Sequence, residues 1–291
     1  MTVHHSSHVL VTGAEGLVGS AVVAHLLRHG YRVTTLTLPD AVAHEDVTVV
    51  RGDATDIESV RRATEGVDSV VHLAAFPNPW DHPAPVTFGN NTLATFTVLW
   101  TAAEAGVRRF AVAGSVNATG LLMNPTHPRP ARFPIDEELP TSIADPYSLS
   151  KQVDEHTLRA VCERFEASGV AFRLPLVVPP DRADGLRAWA EERVSDGAGE
   201  GWGWIDSRDA AEAFRLAISA PLQGAHVVQL AARTTLQPTP TEELIRRWAP
   251  AVSRSQTFED TAAPIDISRA RTLLGFEPRF DRPGMAKEEV G

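Results

Sequence analysis

Three residues of the chain, Ser115, Tyr147 and Lys151, are of the types that move a proton to and from an alcohol oxygen. In YSLSK (147–151) the tyrosine and the lysine stand four apart, so a helix sets both side chains on one face. An ammonium beside a phenol favours the phenolate and draws the tyrosine pKa down from its ordinary value of about 10, which makes a general acid/base. The same ammonium can donate to a cofactor ribose. Ser115 closes RRFAVAGS (108–115), which reads as a strand, and a hydroxyl at that carboxyl end lies where ligands of open α/β sheets bind. Taken singly, these are a surface tyrosine, a solvated lysine and a turn serine. Their order behind a phosphate-binding loop, on elements that converge on one crevice, argues for a joint role.

That loop is VLVTGAEGLVGS (9–20), where Gly13, Gly16 and Gly19 follow a strand and open a helix. Such a turn lets backbone approach a pyrophosphate, which then rests on free N–H groups at the helix start. Asp53 ends a further strand in RGDATD, where its carboxylate either accepts from an adenine amino group or closes a turn. Asp56 fits a helix N-cap. HLAA (72–75) places small residues at a strand end where backbone must come close to a cofactor.

The elements that must position these residues follow from periodicity. Apolar β-branched runs at 9–13, 31–37, 47–53, 68–75, 108–115 and 170–178 alternate with amphipathic stretches at 16–29, 56–65, 91–105 and 146–168. This predicts an α/β fold, a Rossmann-type doubly wound parallel sheet over 1–178. The proline-rich 76–88 reads as a loop, 205–218 as a helix and 226–232 as a strand. A small substrate-binding lobe is expected over 179–291, interleaved with returns to the main sheet from about 205–232. The His-Ser cluster at 4–8 is set aside from the fold.

With 291 residues, 43% hydrophobic and 22% charged, the chain has the composition of a folded globular protein. A formal net charge of −10 without a dense basic block argues against nucleic acid as partner. The single cysteine, Cys162, forms no internal disulfide, assembles no thiolate metal site, and in a helical pattern reads as a buried thiol. No metal is called for. Neither a membrane span nor a signal peptide is legible, so a cytoplasmic location and a small-molecule substrate are expected.

Together these residues resemble the extended short-chain dehydrogenase/reductase superfamily, the group of NAD-dependent epimerases and dehydratases. TGAEGLVG matches its glycine motif, GDATD its adenine-side motif and HLAA its fourth-strand end; NNTLAT (90–95) is similar to its Asn-bearing helix, with Ala94 where Gly is usual. AGSVNATG (113–120), YSLSK, RLPLVVPP (173–180), WIDSRDAA (204–211) and DISRARTLLGFEP (266–278) resemble later motifs. The resemblance implies Ser115, Tyr147 and Lys151 as catalytic residues. For the cofactor it implies Gly13, Glu15, Gly16, Leu17, Val18, Thr37, Asp53, Ala54, Leu73, Ala74, Ala75, Asn91 and Leu174, with Tyr147 and Lys151. Phe76, Trp80, Val116, Asn117, Leu176, Arg182 and Arg187 join Ser115 on the substrate side, although a solvated arginine is the plainer reading of either arginine, as a plain loop histidine is of His82. A homodimer through helices around 91–105 and 148–168 is implied as well.

Departures from the family pattern refine the expectation. The acidic residue that usually ends the second strand is replaced by Thr37, with Asp40 three residues on, and Glu15 would repel a 2′-phosphate, so NAD is expected while NADP stays open. Thr119 and Leu176 replace a tyrosine and an asparagine, suggesting an altered substrate wall. Val116 and Asn117 stand where dehydratases carry Asp-Glu. Only 181–203 is available for gripping a substrate, which suits a small molecule without UDP or GDP and weakly resembles the uronate dehydrogenase-type branch. The expected activity is therefore an NAD-dependent oxidoreductase acting on a secondary alcohol or ketone of a small sugar-like or polar metabolite. A sugar epimerase with tightly bound cofactor is the alternative, and a non-catalytic nucleotide sensor comes third.

Overall fold

The structure is a computed structural model that describes residues 7–42 and 44–284. Positions 4–6 of the His-Ser cluster lie outside the described residues, while His8 opens the first strand with Nε2 2.7 Å from Thr34 Oγ1. In chain order the first half runs β1 (His8–Thr12), α1 (Leu17–Arg28), β2 (Arg32–Thr37), β3 (Thr48–Arg51), α2 (Ile57–Ala63), β4 (Ser69–His72), α3 (Ala84–Glu104) and β5 (Arg109–Ala113). It continues with β6 (Arg132–Phe133), α4 (Pro146–Phe165), β7 (Ser168–Arg173), β8 (Leu176–Val178), α5 (Ala183–Glu192), α6 (Val194–Gly197), β9 (Trp204–Asp206) and α7 (Ser207–Ser219). The last elements are β10 (Gly224–Gln229), α8 (Thr241–Trp248), β11 (Ser253–Arg254) and α9 (Ser268–Leu274).

Seven parallel strands form the central sheet in the order β10-β7-β5-β4-β1-β2-β3. Strand order reverses between β1 and β4, and at such a switch point the loops leaving adjacent strands diverge and open a crevice at their carboxyl ends. Alternation along each strand feeds two cores. Val9 and Val11 face α1 and α7, where Val22, Leu26 and Phe214 are buried. Leu10, Val70 and Phe110 face α2, α3 and α4, against Val60, Leu99 and Leu158. Burying both faces is what makes the strands read as continuous apolar runs.

Two local expectations need correction. The run 170–178 is two strands: Pro175 has no N–H to donate, Leu174 N–H turns back onto Phe172 O at 3.1 Å, and β8 leaves the main sheet to pair with β9. The helix expected from 91 begins at Ala84, because Pro83 and Pro85 sit at its cap and first turn, where a missing N–H costs nothing. The stretch 179–204 carries α5 and α6, hidden in the sequence by Gly and Asp punctuation. Asp56 does cap α2, accepting from Ser59 N–H at 2.8 Å.

Candidate functional site

Three hollows follow one another along the carboxyl ends of the strands. The first, about 310 Å³, lies beside the glycine turn and is lined by Gly13, Glu15, Gly16, Asp53, Ala54 and Ala74 among others. It shares Leu73 and Ala75 with a second hollow of about 370 Å³, on which Leu17, Val18, Leu174 and Ser115, Val116, Asn117, Tyr147 and Lys151 converge. The second in turn shares Leu176 and Trp189 with a third, of about 460 Å³, that extends under α5.

Close backbone packing shapes the first hollow. A Cβ on Gly13 would stand 2.7 Å from Ala74 N, and one on Gly19 2.1 Å from Gly13 O, so neither position admits a side chain. Helix α1 starts at N-cap Gly16 with no side-chain cap, which leaves first-turn N–H groups for an anion. These features fit a dinucleotide pyrophosphate. Asp53 adopts the turn reading, with Oδ1 accepting from Thr55 N–H and Oγ1 at 2.8 Å, while still facing the hollow.

Two cofactor residues and one substrate residue expected from sequence sit elsewhere. Thr37 is fully buried and donates to Thr35 Oγ1 at 3.0 Å, because alternation turns it into the sheet; Leu36 and Leu38 line the hollow in its place. Asn91 is also fully buried. It clamps the loop after β4 by accepting from Phe76 N–H at 2.8 Å and donating to Phe76 O at 3.1 Å and Ser150 Oγ at 3.2 Å. Phe76 lies against His82, ring centroids 3.9 Å apart, and lines the first hollow and not the substrate end.

In the second hollow, Ser115 Oγ accepts from Asn117 N–H at 3.1 Å and from Asn117 Nδ2 at 3.2 Å. With both lone pairs occupied, its O–H is left to donate outward, toward a reacting oxygen. Asn117 Oδ1 is buried with no hydrogen-bond partner among the described residues, a polar atom that a ligand would satisfy. Asp145 caps α4 by accepting from Ser148 N–H at 2.8 Å, which fixes the first turn bearing Tyr147. Lys151, one turn on, lies with Nζ 5.9 Å from the centre of the Tyr147 ring. Its ammonium donates to Ala113 O at 3.0 Å and to Asp154 Oδ2 at 3.1 Å. Burial works to lower the Lys151 pKa, but the Asp154 carboxylate and Tyr147 outweigh it and the net shift is upward, so the charge is secure. Burial raises Asp154 despite the opposing ammonium, so losing Lys151 would push that carboxyl further toward its neutral form.

A buried hydrogen-bond chain ties this pair to the glycine turn. Thr12 Oγ1 accepts from Leu73 N–H at 3.2 Å and Ala74 N–H at 3.3 Å, so its proton goes to His72 Nδ1 at 2.8 Å. The other ring nitrogen then donates to Thr95 Oγ1 at 3.1 Å. The Thr95 hydroxyl lies close enough to Asp154 to favour its ionised form, although Asp154 Oδ1 completes no hydrogen bond of good geometry. Burial, helped by the Lys151 charge, pushes His72 down to about 3, so it is neutral at working pH. Cys162 is buried and pushed up to about 11, an inert thiol.

The third hollow corrects the substrate residues. Trp80 and Leu176 line it, whereas Arg182 and Arg187 are exposed on and before α5 and line none of the three hollows. Arg193 lines it instead, with Trp189, Trp202, Met123 and Glu200. Nothing in the local sequence marks these residues; the chain reaches them only after folding back from β8.

A sequence model described as the NAD dependent epimerase/dehydratase family matches residues 9–231. The chain belongs to this family. Among curated family relatives it is 33% identical over 179 residues to the NAD-dependent glucose-6-phosphate dehydrogenase of Haloferax volcanii, covering 57% of this chain and 67% of that protein. It is 31% identical over 162 residues to a UDP-glucose 4-epimerase of Streptomyces lividans, covering 53% of this chain and 47% of that one. A third relative, a 3 beta-hydroxysteroid dehydrogenase/Delta 5-->4-isomerase of Mycobacterium tuberculosis, is 32% identical over 115 residues, 37% of this chain and 31% of its own. The chain thus spans about half or less of the length of two of these three relatives. The fold matches a short-chain dehydrogenase/reductase superfamily protein from Agrobacterium tumefaciens with bound NAD, at TM-score 0.73, 23% identity and 97% and 96% coverage of the two chains. It also matches the Thermotoga maritima UDP-glucose 4-epimerase, at TM-score 0.70, 21% identity and 97% and 96% coverage. NAD, the cofactor expected from the sequence, is the cofactor of this family. No helix among the described residues is long and apolar enough to cross a membrane.

Proposed function

We propose that the chain is an NAD-dependent dehydrogenase that interconverts a secondary alcohol and its ketone through Ser115, Tyr147 and Lys151. The observation that carries the reading is the Ser115 hydroxyl, its acceptor sites filled by Asn117 and its proton free to donate, in the same hollow as Tyr147 and Lys151. Gly13, Gly16 and the start of α1 would hold the pyrophosphate, Asp53 and Ala54 the adenosine end, and Val18 and Leu174 the nicotinamide end. NAD, when bound, supplies the hydride acceptor. The phenolate of Tyr147 takes the alcohol proton in oxidation, and the phenol so formed returns it in reduction. Ser115 donates to the substrate oxygen as charge builds there. Lys151 sets a positive charge 5.9 Å from the centre of the Tyr147 ring and has one N–H beyond those given to Ala113 and Asp154, available for a ribose hydroxyl.

Glu15 is exposed at the adenosine end and favours NAD over NADP by repelling a 2′-phosphate. The complete catalytic trio argues against a sensor, which needs none of it. Relatives act on sugars and, by name, on a 3 beta-hydroxysteroid. The sugar-like substrate expected from sequence has little support in the third hollow, whose walls are mainly tryptophan and aliphatic. Incubation with NAD and a panel of alcohols should give stoichiometric NADH; stereoinverted product without net NADH would instead make the chain an epimerase.

A homodimer is part of the same proposal. Leu93 and Phe96 on α3 and Leu149 on α4 are exposed, and Trp100 continues the α3 stripe at helical spacing. A sedimentation mass of one chain would overturn it.

A further inference from the structure

The third hollow has a wall that is largely carbon, with a carboxyl, that of Glu200, at its edge. Trp80, Trp189, Trp202, Leu122, Met123 and Leu236 give it a carbon surface of about 460 Å³ capacity. A sugar entering it would lose water from each hydroxyl and find few replacements, at a cost for every unsatisfied group. A diphosphate would find one lining arginine, Arg193, whose guanidinium lies 5.0 Å from the centre of the Trp189 ring and reaches Glu192 at 3.4 Å. Aromatic walls of this kind suit a flat or fused ring.

Glu200 stands where this hollow meets the catalytic one, lining both. Its position is fixed by the loop after α6. Trp202 holds a left-handed backbone at φ 52°, donates its N–H to Gly197 O at 2.8 Å and its indole Nε1–H to Val194 O at 2.7 Å, and stacks on Phe133 at 6.1 Å between centroids. A bulky residue in that conformation is strained and persists where its surroundings demand it, often beside a binding site. Despite this scaffold, the Glu200 carboxyl has no hydrogen bond or ion pair among the described residues. The charged and titratable groups around it are Arg193 and Asp196 from the α5–α6 segment, His127 from the loop after β5, and Tyr147 and Lys151 from α4. Glu200 is half-buried, and desolvation pushes its carboxyl up to about 8, toward the protonated form that can donate.

Resting on the dehydrogenase reading above, we infer that the substrate is an uncharged, ring-bearing ketone or secondary alcohol whose second oxygen accepts a hydrogen bond from the Glu200 carboxyl. The rings lie between the tryptophans, the reacting oxygen meets Ser115 and Tyr147, and the second oxygen is a carbonyl or ether.

Calorimetric titration of the NAD-loaded protein tests this with trans-decalin-1,5-dione, trans-1-decalone, glucuronate and UDP-glucose. The dione should bind about tenfold more tightly than the monoketone, the worth of one buried hydrogen bond, and at least a hundredfold more tightly than either sugar. Glu200→Ala should erase the dione's advantage while leaving monoketone binding within twofold, which also certifies the fold. Glu200→Gln, which keeps a donor, should retain it. In wild type the advantage should shrink as pH rises through about 8, and in Glu200→Gln it should not. Tighter binding of glucuronate or UDP-glucose, no binding by the decalones, or a dione advantage that survives Glu200→Ala would each overturn the inference. Decalone binding without NADH formation from the matching decalol would overturn the dehydrogenase reading and leave the inference standing. NADH formed from a sugar, with weak decalone binding, would do the reverse.

Discussion

Replacing Asp154 by asparagine should weaken the fold through Lys151, a residue of the reaction centre. The two side chains are 6% and 1% exposed and their charged atoms are 3.1 Å apart. At an effective dielectric constant of about 20, charges at that distance attract by about 5 kcal/mol, and removing one member of a buried pair costs ~3–5 kcal/mol because the other is left uncompensated. Asp154→Asn preserves shape and one acceptor oxygen, so the loss should fall near the lower end, about 3 kcal/mol in a margin of about 5–15. Urea unfolding of wild type, Asp154→Asn, Lys151→Met and the double variant forms a closed cycle. The double variant should be nearly as stable as Lys151→Met alone, because loss of the ammonium pushes Asp154 further toward the neutral acid that asparagine mimics. A single-variant loss below about 1 kcal/mol, or additive losses, would refute the view that this carboxylate secures the lysine charge.

Three other expectations follow from the same geometry. Ser115→Ala should lower kcat by about a hundredfold or more with NAD affinity unchanged, since it removes a donor aimed at the developing oxyanion; a loss under threefold contradicts the role given to its free O–H. Glu15→Gln should raise NADP affinity by up to about tenfold, the worth of repulsion between a carboxylate and a doubly charged phosphate some 6 Å away in water, while NAD affinity stays put; titration of both nucleotides decides. His72 is held at about 3, so between its ordinary pKa of about 6.5 and that value the unfolded chain takes a proton the folded chain refuses. Stability should therefore fall on acidification through this window, by up to about 1.4 kcal/mol per pH unit, and less steeply in His72→Asn; parallel slopes for the two proteins would contradict a neutral buried imidazole.

The parallel sheet and the catalytic trio were legible because their signals are local. Val9 to Gly19 spells out strand, turn and helix in one stretch, and Tyr147 and Lys151 share a helix face by spacing alone. Other assignments depended on which way a residue turns. Thr37 ends the expected strand, yet alternation points it into the sheet and leaves Leu36 and Leu38 at the cofactor end. Asn91 is the right residue type on the right helix, but its amide is consumed by the Phe76 backbone. The arginines at 182 and 187 are on the chain segment that borders the substrate hollow, but the helix carries them outward and brings Trp189 and Arg193 in. Glu200 had no signature at all: a carboxylate among glycines is unremarkable until the fold sets it, half-buried, where the second and third hollows meet.

In the proposed dehydrogenase, Tyr147 moves the substrate proton. The most direct test of that role is to compare wild type with Tyr147→Phe in two measurements, NAD binding by titration calorimetry and NADH formation followed by its near-ultraviolet absorbance. NAD affinity should be unchanged and NADH formation reduced about a thousandfold, the scale of a lost general acid/base. NADH formation in Tyr147→Phe within a few fold of wild type would contradict that role.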